Sequence, residues 1–571
     1  DAPLRSDTDV SRQRRHASPD PSLPAELVEA CMRAMAARPE ERFPDSKQFA
    51  DAVGDWLEGA KKKERAYEIV ARAEQMAPRS EALRCRATEA RSQATALLAG
   101  VNSWDDEASK LSGWELEDQA QSMEREADLV DLEARRLYHA ALTYVPQLAD
   151  AHVALAQAYR ADHAAAELDR DRGQAEQAEL LLRSHVVALP EARPERAQLV
   201  AYLRGVGSLT LRTDPPSAEV DLFRYKQHNR RLVPVFDRSL GSTPLVDVPL
   251  AMGSYVLRLR APGCEQVAYP VFVGRQEHWS GVAPGETEPR PVPLPGTGTV
   301  SSKECYVPPG WFRCGGDSQL EQTFPQGRVW VDGFIMQRYT VTNAEFIVFL
   351  DDLVSRGREQ EALAAAPRER GGTVDEPGAV IFGRDPDGGF FLRPDADGDQ
   401  WEPDCPVMMV TLHGARAYAR WWSERTGHHW RIPHEIEWEK AARGVDGRFY
   451  PWGDFVDPSW ACLRLSHDGR PVPATRDQFP QDQSPYGVRH LGGGSRDWCR
   501  SRFEVEVGLP PDGLLRIDEF ESDCDPMDLF SVRGGWWYAG AIHARSANRQ
   551  GMEAHARSFH MGIRLVRSWE S

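Results

Sequence analysis

One stretch restricts this chain more than any other: Arg431 to Gly453, R-I-P-H-E-I-E-W-E-K-A-A-R-G-V-D-G-R-F-Y-P-W-G. Its first half has helical spacing. Glu435 and Ile436 open it, and Ile436, Glu439, Lys440 and Arg443 alternate with Trp438, Ala441 and Ala442 in an amphipathic pattern. Gly444 stops that helix, because glycine leaves a helix through a left-handed residue at little cost. Phe449 to Gly453 is an aromatic turn that cannot continue it, since Pro451 has no amide proton to donate.

These residues resemble a signature of the formylglycine-generating enzyme, or sulfatase-modifying factor, family: R-L-P-T-E-x-E-W-E-x-A-A-R-G followed by Y-P-W-G. The family's fold is a variant of the C-type lectin fold. Further marks stand in the family's order. They are Val307 to Trp311, Tyr339 to Phe346, Pro406-Val407 through Trp421, Ser484 to Val488, Arg533-Gly534-Gly535 and Gly562-Ile563-Arg564. The resemblance covers residues 303–571.

A chain of 571 residues exceeds what one core organises, so three or four domains are expected. With 41% hydrophobic and 27% charged residues, the composition is that of a soluble globular protein. The net charge of -18 argues against a general nucleic-acid binder, whose affinity rests on cationic contacts to phosphate. No apolar run approaches the roughly 20 residues that cross a bilayer. The nine cysteines form neither a C-x-x-C pair nor a dense framework, so we expect free thiols, no zinc and a reducing, cytoplasmic setting.

Taken in order, the chain reads as multidomain α+β: an all-α N-terminal region, a small β-sandwich and a C-terminal lectin-like α+β domain with much irregular structure. Residues 1–22 form a flexible lead-in. Residues 23–59 carry two short apolar stripes, Leu27, Cys31, Ala34 and Met35, then Phe49, Val53, Trp56 and Leu57. This segment resembles the last helices of the large lobe of bacterial serine/threonine protein kinases, where the residue matching Arg42 makes a buried ion pair. The glycine-rich, H-R-D and D-F-G motifs of kinases are absent from the chain. Since it begins at Asp1 mid-domain, we expect a kinase domain upstream.

Residues 60–205 are rich in Ala, Glu, Arg and Leu, a helical connector of tetratricopeptide or coiled-coil type, with Pro146 starting a new helix. Residues 206–281 alternate apolar and polar positions between Pro/Gly turns. They resemble the PEGA module, a small β-sandwich of bacterial signalling proteins. Residues 282–302 read as a Pro/Gly linker.

What the family resemblance implies for chemistry is specific. Its oxidase uses copper held by two thiolates shortly after the R-G-G turn, soft ligands that suit Cu(I). Here the first position falls on Ala539 and the second on Ala541 or Ala544, and no cysteine follows Cys524. We therefore expect no copper and no formylglycine generation. A related group, iron-dependent sulfoxide synthases, uses an H-x-x-x-H-x-E motif that His152 and His163 do not supply. Calcium is the family's structural cation, held by oxygen ligands from two loops. In one loop Asp468 keeps its carboxylate while Cys462 stands in place of asparagine, which leaves calcium open at Asp468; in the other His490 and Gly494 replace oxygen donors and Asp497 stands for glutamate, so we expect that site to be lost. The three-glycine turn Gly492 to Gly494 is expected to be a tight backbone loop.

What remains is a scaffold with an aromatic and cationic face, expected from Trp498, Arg500, Trp536, Trp537, Tyr538, Arg545, Asn548 and Arg549. Aromatics and arginine anchor protein or peptide ligands. Packing under the R-G-G turn is the competing role for Trp536 and Trp537. The functional expectation is a non-catalytic regulatory and recognition region of a serine/threonine-kinase-type signalling protein, with a degenerate lectin-like domain binding a protein, peptide or small ligand. The alternatives are an oxidase with a departed metal site and a ligand-binding protein diversified on the same scaffold.

Overall fold

The computed structural model describes residues 24–101, 105–369, 378–394, 398, 401–518 and 524–569; the expected lead-in 1–22 lies outside them. Two compact units, Asp1–Arg204 and Gly205–Ser571, divide the chain.

The first unit is helical: Ala25–Ala34, Ser46–Glu74, Ala77–Leu98, Glu107–Tyr144, Ala149–Leu168, Arg172–Ala188 and Pro194–Arg204. Three of these helices start on an aspartate, Asp45, Asp106 and Asp171, whose side chain accepts from a backbone N–H three residues on. Small residues at the contacts, among them Ala66, Ala73, Ala120, Ala127, Ala141 and Ala151, let the helices approach closely. Pro146 separates two helices as expected. The second apolar stripe does not end near residue 59: one 29-residue helix, Ser46–Glu74, runs through that boundary. No residue of the Ala25–Ala34 helix is buried, and Arg42 is exposed, its Nε donating to the Ala36 carbonyl at 2.7 Å.

In the second unit a four-stranded antiparallel sheet orders Arg231–Ser242, Glu219–His228, Gly253–Arg260 and Val267–Val273. Its register places Val220 opposite Leu259 and Leu222 opposite Leu257, so period-2 apolar residues share the inner face. Leu209, Leu245 and Trp279 from the facing three-stranded sheet close that core. The same cluster continues into Val307, Phe312, Val329, Phe334, Ile436 and Trp438. The sandwich and the C-terminal domain thus share one core.

The Pro/Gly stretch is not a free connector. Val292–Pro293 pairs in parallel with Thr213–Asp214, Leu294 donates to the Asp214 carbonyl, and Val292 and Leu294 are buried. A second core gathers around Phe346, Phe349, Tyr418, Trp421 and Trp498, beneath a sheet ordered Arg549–Glu553, Leu529–Arg533, Arg496–Arg502 and Met561–Gly562.

The helix Glu435–Arg443 has the expected bounds, with His434 and Glu437 forming a capping box. Two expectations about it are corrected. Every residue of it is buried, so its polar side does not face water. Glu437 instead pairs with Arg431 at 2.7 and 2.8 Å, and Glu439 with Arg443 at 2.8 Å and Arg533 at 2.5 Å. The Lys440 ammonium donates to the carbonyls of Pro308, Gly310 and Val331. Gly444 has φ 68° but ψ -138°, an extended exit rather than a left-handed helical one.

Candidate functional site

Two glycine turns meet at the centre of the C-terminal domain. Gly535, ending the R-G-G turn, lies so close to the Gly492 carbonyl that a Cβ would stand 2.1 Å from it. The Gly492 turn wraps the buried Asp482 carboxylate, which accepts the amides of Leu491, Gly492 and Gly493 at 2.9–3.2 Å. Burial still pushes that carboxyl up to about 7. The three-glycine loop is therefore a backbone clasp on an internal acid.

Beyond the turn, the eight residues expected to form one face divide. Trp498 is fully buried, its indole donating to the Val410 carbonyl at 3.0 Å. Arg545 is buried on Asp317 at 2.5 and 2.8 Å, stacked on Phe449. Arg549 is buried on Glu435 at 2.7 and 3.0 Å and covers Phe324. Asn548 is buried beside His543, and Arg500 Nη2 donates to the Asp518 carbonyl at 2.7 Å. Trp536 is half-buried and packs against His543 and His560 in tilted contacts. These six do not present an open face: their aromatic and cationic groups are committed to the fold.

Trp537 and Tyr538 stand apart from them. Together with Phe559 they form one wall of a cavity of about 860 Å³. Trp537 Nε1 donates to the Phe559 carbonyl at 3.0 Å, and Tyr538 remains 46% exposed. The opposite walls bring Trp401 and Met409 from one segment and His467, Arg470 and Val472 from another. Met409 holds φ 63°, a conformation sparsely populated by non-glycine residues and often kept at binding sites. Its size and apolar lining suit a small ligand or a peptide side chain. Phe559, Trp401 and Met409 escaped the sequence reading because their segments share no spacing.

The positions of the oxidase thiolates hold no donor atoms. Ala539 and Ala544 are buried methyl groups and Ala541 is exposed. Two thiols do lie near the cavity. Cys405 Sγ donates to the Pro473 carbonyl at 3.7 Å and Cys462 Sγ to that of Val472 at 3.4 Å, with His467 Nε2 3.6 Å from Cys462. Burial pushes Cys405 up to about 11 and Cys462 to about 12, so both are protonated donors at neutral pH rather than thiolate ligands.

The calcium loops are likewise engaged. Asp468 is exposed, and Cys462 of the same loop is buried with its thiol on the Val472 carbonyl. His490 Nε2 donates to the Gln478 carbonyl at 2.9 Å. Asp497 Oδ2 accepts from Trp438 and Arg564, leaving Oδ1 as a single buried oxygen without a partner. One bare oxygen does not make a shell of six to eight, so the Asp497 loop does not fit a calcium ion. Among the described residues no group of three or more His, Cys, Asp or Glu side chains is placed to hold a metal. In the helical unit His152 Nδ1 faces His185 at 2.9 Å and His163 Nδ1 faces the Tyr202 hydroxyl at 2.8 Å.

Residues 293–569 match the family model of the sulfatase-modifying factor enzyme 1-like domain. The C-terminal part of this chain is a domain of that family. Its relatives are chemically diverse. Hercynine oxygenase of Mycolicibacterium smegmatis is 31% identical over 291 residues, 48% of this chain and 64% of that protein. Formylglycine-generating enzyme of Mus musculus is 29% identical over 275 residues, 40% of this chain and 66% of that protein. The serine/threonine-protein kinase Pkn1 of Chlamydia trachomatis serovar L2 is 28% identical over 257 residues, 43% of this chain and 34% of that protein. The matched region spans less than two thirds of the length of each of these relatives.

Proposed function

We propose that this chain is a regulatory and recognition region of a bacterial serine/threonine-kinase-type signalling protein. Its sulfatase-modifying-factor-like domain binds a protein or peptide segment instead of oxidising a thiol. The kinase-lobe-like helices, a tetratricopeptide-like connector and a PEGA-like sandwich would carry that domain. The similarity to a protein named as a serine/threonine kinase supports the association.

The observation that carries the reading is alanine where the oxidase thiolates would act, Ala539 and either Ala541 or Ala544, with an aromatic cavity lined by the preceding Trp537 and Tyr538. A thiol-dependent oxidation cannot start from methyl groups, whereas Trp537, Tyr538 and Phe559 are residue types that anchor apolar or aromatic side chains. The test uses the full chain on an array of immobilised peptides, alongside an oxygen-consumption assay on a cysteine peptide with added copper. Captured peptides should be lost in Trp537→Ala, and oxygen uptake should stay at the protein-free rate. Copper-dependent turnover, or equal capture by Trp537→Ala, would overturn the proposal.

A further inference from the structure

Arg496 is a charge without an evident counterpart. It opens the strand Arg496–Arg502 and is fully buried, yet no carboxylate among the described residues pairs with it. Its Nη1 donates to the Gln550 amide oxygen, and its buried Nε has no partner. The charged group that acts on it is Arg533, whose own charge is taken by Glu439 and Glu435. An unpaired buried cation is costly, and folds rarely keep one without a use.

The guanidinium lies 4.6 Å over the Trp536 ring, and that ring is flanked by His543 at 4.7 Å and His560 at 5.0 Å. Proton placement on these imidazoles follows from their partners. Asn548 Nδ2 is fixed by two acceptors, the His543 carbonyl at 3.4 Å and His543 Nδ1 at 3.3 Å. An amide nitrogen only donates, so Nδ1 of His543 is the lone pair and its ring proton sits on Nε2. His560 Nδ1 pairs with the Ser558 hydroxyl at 2.7 Å, and its ring proton sits on Nε2 when that hydroxyl donates. The His560 Nε2 is buried and has no partner. Burial and Arg496 push His560 down to about 4 and lower His543, so both rings are neutral at pH 7. His543, Trp536 and His560 are only half-buried, so the corner reaches the surface.

We propose that this corner binds an oxyanion, a carboxylate or phosphate group of a ligand, through the Arg496 guanidinium and the Nε2–H groups of His543 and His560. A fixed buried cation whose Nε lacks an acceptor, beside the unpartnered Nε2 of His560, is an arrangement that charge-assisted hydrogen bonding to an anion can complete. Trp536 packs against the guanidinium and limits its movement. The corner adjoins the aromatic cavity through Phe559, which packs on His560 at 5.4 Å, but it uses different groups, and its failure would leave that proposal standing.

The test uses the full chain in a non-coordinating buffer. Inorganic phosphate and acetate are titrated separately, with chloride at matched ionic strength as the reference, following the melting temperature and tryptophan fluorescence. One of the two anions should give a saturable response beyond chloride. Phosphate alone would name a phosphate group and acetate alone a carboxylate. Affinity should fall at least tenfold in Arg496→Met and severalfold in His560→Ala, with the circular dichroism spectrum unchanged. If Arg496→Met does not fold, His560→Ala decides. Unchanged affinity in either folded variant, or no saturable response in the wild type, would show that water alone covers these donors and overturn the proposal.

Discussion

Arg549 shows how far a side chain's role depends on where it points. As a residue type it suits ligand capture, but here it neutralises Glu435, which is buried and otherwise has Ser531 at 2.9 Å and Arg533 at 3.6 Å. Removing one member of a buried pair strands the other. Arg549→Ala should therefore lower the unfolding free energy by about 3–5 kcal/mol in urea titration, far beyond the effect of a surface change. His490 gives a prediction in pH. Burial lowers it from 6.5 to about 4, so between those values the unfolded chain holds a proton that the native state does not. Its contribution is present above pH 6.5 and is lost as pH falls toward 4, about 3 kcal/mol in all. His490→Gln should flatten that acid limb in urea unfolding measured from pH 4 to 7. An unchanged limb would place the acid sensitivity elsewhere. Asp482, raised to about 7, tilts stability the other way over the same range, and so the variant should expose a decline as pH rises toward 7.

Among elements, the helix Glu435–Arg443 was legible in its bounds and cap because capping and helical spacing are local in sequence. Its burial was not, because the partners of its charges, Arg431, Arg533 and Arg549, are fixed only by tertiary structure. The candidate site divides in the same way. Trp537 and Tyr538 were found through the R-G-G turn beside them, whereas Trp401, Met409 and Phe559 converge from separate loops. The turn itself can be tested. At Gly535 a methyl would meet the Gly492 carbonyl at 2.1 Å, a backbone atom that cannot swing aside, while at Gly540 it would meet nothing within 4 Å and the backbone has φ -73°. Gly535→Ala should cost about 4 kcal/mol or more, read as loss of soluble protein or a collapsed urea midpoint. Gly540→Ala, five residues along, should stay within about 0.5 kcal/mol. Equal tolerance at both positions would show that the two turns separate without penalty.

For the whole molecule, the point least visible in sequence is where an independently stable piece begins. Alternating strands marked the sandwich, and family motifs marked the C-terminal domain. A Pro/Gly stretch between them has the composition of a flexible spacer as much as that of an edge strand. The packing decides between the two, since Val292 pairs beside Thr213 and a single apolar cluster runs from Leu209 and Val271 to Phe312 and Trp438. Cutting at residue 303 would expose the inner faces of Val307, Phe312, Val329 and Phe334, each worth roughly 1.5–3 kcal/mol when buried, against a typical total stability of about 5–15 kcal/mol. Residues 303–571 made alone should therefore aggregate or bind a hydrophobic dye as a loosely packed state. Residues 205–571 should melt in one cooperative transition, with near-ultraviolet circular dichroism lost at the same midpoint as far-ultraviolet. If the shorter piece melted cooperatively at the same temperature, the sandwich would be an appendage. If the longer piece alone is well behaved, the lectin-like scaffold depends on the sandwich to complete its core, and binding experiments on its cavity belong on 205–571 or the full chain.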